Sequence, residues 1–268
     1  MMKEEPNLDM ITNKKRIGVF DSGVGGLATL SEIKRLGLEL DVVYLADTKN
    51  LPYGDKNEQE LTEILAQIFD LFSKEQVEMV VVACNTSTSI LLGDRFDILK
   101  QQNFKVLNVI EPAAARAKSF KTVGVIATKY TAEHGIYERL IREKNADCNV
   151  ISVACPALVP LIESGKDLAN AKPALFGYLE QFETPLDAII LGCTHYSLLK
   201  EYVSEFFKNK TVIIDSGQEV ASVLNTQLGA TLGSFNVKFC VTGDSTEFIK
   251  TASKLYAFDF TDVCHVVL

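Results

Sequence analysis

No run of apolar residues in this chain approaches the roughly 20 that a membrane-spanning helix needs, so no membrane role is expected. Residues Met1 to Arg16 are polar and charged and lack the apolar stretch of an export signal. The six cysteines form no C-x-x-C pair. Cys193 and His195 stand two apart with no second ligand cluster, so no metal site is expected. The cysteines are read as reduced thiols of a cytoplasmic protein. Basic excess is missing too. The formal net charge is -8 and the pI about 5.1, with Lys and Arg scattered, so neither nucleic acid nor an anionic membrane is an expected partner. There are no low-complexity tracts.

What remains is an ordinary globular composition. The chain has 268 residues, 47% of them apolar and 23% charged, enough for one large α/β domain or two smaller ones. After a polar leader expected to be disordered, Ile17-Gly18-Val19-Phe20 reads as a buried strand. It opens into Asp21-Ser22-Gly23-Val24-Gly25-Gly26, and Leu27, Leu30 and Ile33 form a helical face. This loop is not G-x-G-x-x-G, and the acid entering it would repel a pyrophosphate. The alternative is that its glycines let the backbone approach a small ligand, faced by Asp21 and Ser22.

Further along, Val42 to Ala46 is a strand, Leu51-Pro52-Tyr53-Gly54 is a turn presenting Tyr53, and Leu61 to Phe72 is an amphipathic helix. Val106 to Ile110 leads into an alanine-rich helix reaching Lys118. Strands are expected at Val123–Ala127, Val150–Ala154, Thr211–Asp215, Val237–Val241 and Val263–Leu268. Helices are expected around Tyr137–Lys144 and Glu219–Leu228. The loop Cys155 to Pro160 leads into Leu161-Ile162-Glu163, and Asp244-Ser245-Thr246-Glu247 resembles a capping box.

Two stretches share an unusual design. Val80-Val81-Val82-Ala83-Cys84-Asn85-Thr86 and Ile189-Ile190-Leu191-Gly192-Cys193-Thr194-His195 each end a buried strand in a thiol followed by small polar residues. Unpaired N–H groups at such a strand-to-helix turn would favour a thiolate or a ligand carboxylate. Val123 to Thr128 also echoes Ile17 to Ser22 position by position. These echoes lie 106 residues apart and the two cysteines 109, which suggests a chain of two similar α/β halves. Ligands of open α/β sheets bind at the carboxyl ends of strands. Thiols facing one ligand from two sides suit removal of a proton from one face of a carbon and delivery to the other. A redox dithiol would need its sulfurs almost in contact, and a thiol hydrolase would leave one cysteine without a task.

Together Asp21–Gly26, Leu51–Gly54, Ala83–Thr86 and Leu191–Tyr196 resemble the glutamate racemases, from about Ile17 to the last strand. The resemblance implies two doubly wound α/β domains related by a pseudo-twofold axis, with the active site in the cleft between them. The first would comprise residues 1–108 plus 217–268 and the second 109–216, the chain returning near Ser216-Gly217. It implies that Cys84 and Cys193 are the catalytic acid/bases, with Asp21 beside Cys84, and Glu163 and His195 beside Cys193. Ser22, Tyr53, Gly54, Asn85, Thr86 and Thr194, with Asp21 and His195, would hold glutamate. No cofactor is implied, and a homodimer supplying D-glutamate for peptidoglycan is. Ser197 stands where the family usually has Pro, Ser87 and Ser89 where it has alanine, and Ala127 where glycine is commoner. An aspartate racemase and a non-catalytic binder of a small acidic ligand remain as rival readings.

Overall fold

The computed structural model describes residues 14–93 and 102–268; most of the polar leader lies outside the described residues. The first half runs β1 (Lys15–Asp21), α1 (Gly26–Arg35), β2 (Leu40–Ala46), α2 (Glu58–Lys74), β3 (Met79–Val82), α3 (Asn85–Leu91), β4 (Lys105–Asn108) and α4 (Ile110–Ala117). The second runs β5 (Thr122–Ala127), α5 (Lys129–Glu133), α6 (Ile136–Arg142), β6 (Asn149–Ala154), α7 (Leu158–Glu163), α8 (Lys172–Leu179), β7 (Ala188–Gly192), α9 (Lys200–Phe206) and β8 (Val212–Asp215). The chain closes with α10 (Ser216–Leu228), β9 (Phe235–Val241), α11 (Ser245–Leu255) and β10 (Val263–His265). Among the described residues no helix is long and apolar enough to cross a membrane.

Two parallel sheets result. One has the order β10-β9-β2-β1-β3-β4 and the other β6-β5-β7-β8. The shared part is one winding used twice: second strand, first, third, fourth. The short echo between Ile17–Ser22 and Val123–Thr128 is therefore the sequence trace of β1 and β5, each the first strand of its half. In each half the winding reverses direction beside the first strand, so the first and third strands flank a switch point, where open α/β sheets bind ligands.

Strand alternation sorts the core into layers. Ile17 and Val19 of β1, Val81 of β3, Val123 and Val125 of β5 and Ile190 of β7 all belong to one cluster shared by both sheets, with α1, α4 and α10 supplying its filling. The opposite parity, Phe20, Val80 and Val82, packs under α2 through Leu65, Phe69 and Phe72. In the second half Ile126, Ile189 and Leu191 pack under α7, α8 and α9. Cys84 and Cys193 share this outer parity and belong to the two outer clusters.

Several boundaries differ from expectation. The capping box lies at the start of α2, where Asn57 and Glu60 cap each other reciprocally. Asp244 accepts from the Thr246 and Glu247 amides but receives nothing back from the Glu247 side chain. The loop expected at 155–160 is already helical from Leu158, because Pro160 falls in the first turn of α7, where its missing N–H has no intrahelical partner to lose. Ser197, where the family usually has Pro, lies inside a 3₁₀ turn, Thr194–Leu199, and its hydroxyl donates to Asp215 Oδ1 at 3.0 Å. The last strand is only three residues long.

Phe72 of α2 lies directly on β1, where glycine at position 18 makes room for it: a Cβ there would stand 2.6 Å from the ring. Phe72→Ala should lower stability by about 3–5 kcal/mol through lost burial and a residual cavity. A shift of the urea midpoint at unchanged slope would show it; an unshifted midpoint would refute this account of the joint.

Candidate active site

The carboxyl ends of β1, β3, β5, β6 and β7 converge on one cleft. Ser22, Cys84, Thr128, Cys155 and Cys193 each follow one of these strands and line it. The loop after β2 covers it with Leu51 to Asp55. About 590 Å³ of space there is free of protein atoms, solvent at the mouth included. Cys84 and Cys193 enter it from opposite halves, both nearly fully buried.

Of the residues expected at the site, Cys84, Cys193, His195, Ser22, Tyr53, Gly54, Asn85, Thr86 and Thr194 all line the cleft. Asp21 and Glu163 stand back from it. Asp21 is wholly buried; its Oδ1 accepts from the Gly23 amide and its Oδ2 from the Thr194 hydroxyl, both at 3.0 Å. Glu163, the last residue of α7, accepts through Oε1 from His195 Nε2 at 2.6 Å and from the Val24 amide at 3.2 Å. His195 Nδ1 in turn lies 3.7 Å from the Cys193 sulfur.

Gly23 and Gly25 of the 21–26 loop lie against the second half. A Cβ at Gly23 would stand 2.5 Å from Glu163 Oε1, and one at Gly25 would fall inside contact distance of the His195 ring and 2.6 Å from Thr194 Oγ1. Their hydrogen side chains let the first half close on the second. Other bonds cross the same seam. Tyr137 donates to Asn85 Oδ1 at 2.6 Å, and Asn85 Nδ2 reaches Ser216 Oγ at 3.5 Å. Thr86 and Thr128 share a hydroxyl bond of 3.0 Å. Tyr53 donates to Asp47, a fully buried carboxylate that also accepts from Asn50 and Thr242.

The two thiols have unlike surroundings. Burial, and then the charge of Asp21, push the Cys84 thiol up to about 12, with only Ser87 pulling the other way. This corrects the expectation that the strand-to-helix turn enlarges the thiolate fraction there: desolvation outweighs the amides. Burial likewise raises the Asp21 carboxyl above the usual carboxylate range, against the lowering influence of His195. At His195 burial disfavours the charge, but hydrogen bonds to Cys193 and Glu163 outweigh it and hold the imidazole well above its ordinary value.

Thr128, Lys129, Asp55 and Val159 also line the cleft and were not anticipated. Thr128 was within reach, since the repeat aligns it with Ser22. Tyr137 and Asp47, which orient Asn85 and Tyr53, carry no local signal of that role.

A sequence model of the family described as Asp/Glu/hydantoin racemase matches residues 28–224. A glutamate racemase of Thermoanaerobacter pseudethanolicus is 34% identical over 95% of this chain and 98% of its own. Among solved structures, a glutamate racemase isoform of Bacillus anthracis superposes with a TM-score of 0.86 at 32% identity, over 95% of this chain and 98% of that one. The Francisella tularensis glutamate racemase in complex with D-glutamate gives 0.83 at 28%, with the same coverage.

Because the folded state favours the imidazolium of His195, its contribution to stability is fully present below the imidazole's unfolded value of about 6.5. That contribution is lost as pH climbs from there through the raised native value. The stability difference between the parent and His195→Gln should therefore be largest near pH 6 and shrink steadily toward pH 9, as read from urea midpoints. A difference that grows with pH would reverse the assignment.

Proposed function

The chain belongs to the Asp/Glu/hydantoin racemase family, and from that premise we propose that it interconverts L- and D-glutamate by passing the α-proton between Cys84 and Cys193. The observation that carries this reading is the pair of buried thiols entering one cleft from two similarly wound halves. In one direction a thiolate takes the α-proton from one face of the carbon. The carbanion then receives a proton from the opposite thiol on the other face, and the configuration inverts. The two sulfurs exchange protonation states, so the enzyme that releases D-glutamate is poised to accept it back.

This chemistry needs one sulfur with a proton and one without. Cys84, pushed up by burial and Asp21, keeps its proton at rest and is the acid in the direction where Cys193 is the base. His195, held by Glu163, orients toward Cys193 and offers it a favoured positive charge. A fixed pair of positioned groups converts two proton transfers into steps within one complex. Asn85, Thr86, Thr194, Ser22 and the Tyr53-Gly54 turn are the groups proposed to hold the amino and carboxylate groups of the substrate. The Asn85 amide and the Thr86 and Thr194 hydroxyls are already ordered by partners across the seam, and the Tyr53 hydroxyl by Asp47, which lowers the entropic cost of binding.

The same reading assigns residues 1–108 and 217–268 to one domain and 109–216 to the other, supported by which sheet each strand joins. It extends to a cytoplasmic homodimer that supplies D-glutamate for peptidoglycan without direct contact to nucleic acid, in keeping with the net charge of -8.

Proton NMR of L-glutamate in D₂O tests the proposal. The α-proton signal should fade as the D-isomer accumulates, and Cys84→Ala and Cys193→Ala should each slow interconversion by about 10²–10⁴-fold, the usual worth of a positioned acid or base. Exchange of aspartate but not glutamate would change the substrate and leave the two-thiol scheme standing. With neither acid exchanged, a binding protein becomes the better account.

A further inference from the structure

Outside the cleft, among the described residues, two thiols lie close enough to react with each other. Strands β9 and β10 run parallel at the edge of the larger sheet, and Cys264 stands in register with Cys240. Register partners in a parallel pair direct their side chains to the same face, and here the two sulfurs are 3.5 Å apart. Both are free thiols. Cys240 is fully buried and Cys264 half-buried.

We propose that Cys240 and Cys264 form a dithiol–disulfide site, oxidised by a small-molecule disulfide of the glutathione type and reset by its thiol. The proposal is independent of the racemase reading. In the first step the Cys264 sulfur, as thiolate, attacks one sulfur of the small disulfide. A protein–small-molecule disulfide forms and one small thiolate leaves. In the second, Cys240 gives up its proton and attacks the Cys264 sulfur, releasing the second small thiolate. The two protein thiols lose two electrons and two protons, and the small disulfide gains them as two thiols.

The surroundings set the order of events. Cys264 is the half-exposed sulfur and meets the reagent first. Burial pushes the Cys240 thiol up to about 12 and Cys264 adds to the effect, while the nearby Lys238 ammonium works against both. Cys240 is therefore unsuited to attack a reagent in solvent, and acts on the sulfur already beside it. Little backbone movement is needed, because adjacent parallel strands hold Cα atoms within the span a disulfide bridges.

The bond would fasten a weakly held element. Strand β10 has three residues and pairs with β9 alone. Beyond Cys240, β9 leads to Thr242, whose hydroxyl donates to Asp47 at 2.5 Å, the carboxylate that also holds Tyr53 in the cleft.

The full-length protein, incubated with oxidised glutathione and digested with trypsin without reductant, supplies the test. Cleavage after Lys238, Lys250 and Lys254 places the two cysteines on segments 239–250 and 255–268. Mass spectrometry should find these linked, two hydrogens lighter than their sum, and separated again by dithiothreitol. The oxidised protein should also melt at a higher temperature than the reduced one. Cys264→Ser should leave Cys240 unmodified under the same conditions. Glutathione persisting on Cys264 without linkage to Cys240, or direct modification of Cys240 in Cys264→Ser, would overturn the proposal.

Discussion

The cleft depends on one seam, where the loop Asp21–Gly26 of the first half lies against Glu163, Thr194 and His195 of the second. Two of its glycines admit groups that a side chain would displace: Gly23 the Glu163 carboxylate, and Gly25 the His195 ring and Thr194 hydroxyl. The carboxylates at the seam are not idle fillers. Asp21 fixes Thr194 and Glu163 fixes His195, each also accepting from a loop amide. Closing the halves thus orders the side chains at both sulfurs in one step, and burying these groups without partners would be costly.

The same closure makes the two thiols different. Cys84 lies beside a buried acid and Cys193 beside a histidine whose charged form is favoured. A proton shuttle needs one sulfur with its proton and the other without as the substrate arrives. The duplicated winding supplies opposed positions, and the departure from symmetry at Asp21 and His195 gives the two sulfurs unlike neighbours. Ser22 and Thr128, aligned by the repeat, still face the cleft as hydroxyls from the two first strands.

Legibility in the sequence followed the range of the interaction. The buried strands were readable because parallel sheets covered on both faces need continuous apolar runs, as in Val80–Val82 and Ile189–Leu191. Cys84 and Cys193 stood out because both follow such runs. Element ends were less readable: the Asn57–Glu60 box went unnoticed, and Pro160 concealed the first turn of α7. Asp47 and Tyr137 were silent because their partners, Tyr53 and Thr242 for one and Asn85 for the other, come from different elements.

By itself, then, the sequence determined the strand–helix alternation, the doubled half and the two thiols at strand ends, because these rest on local periodicity and on residues adjacent in the chain. The tertiary structure alone decided that Gly23 and Gly25 pack on Glu163 and His195, that Asp21 stands behind the cleft, and that burial and the Asp21 charge push the Cys84 thiol up. Those outcomes turn on desolvation and on contacts between residues well over a hundred positions apart, and neither is a property of any stretch of chain until the halves have met.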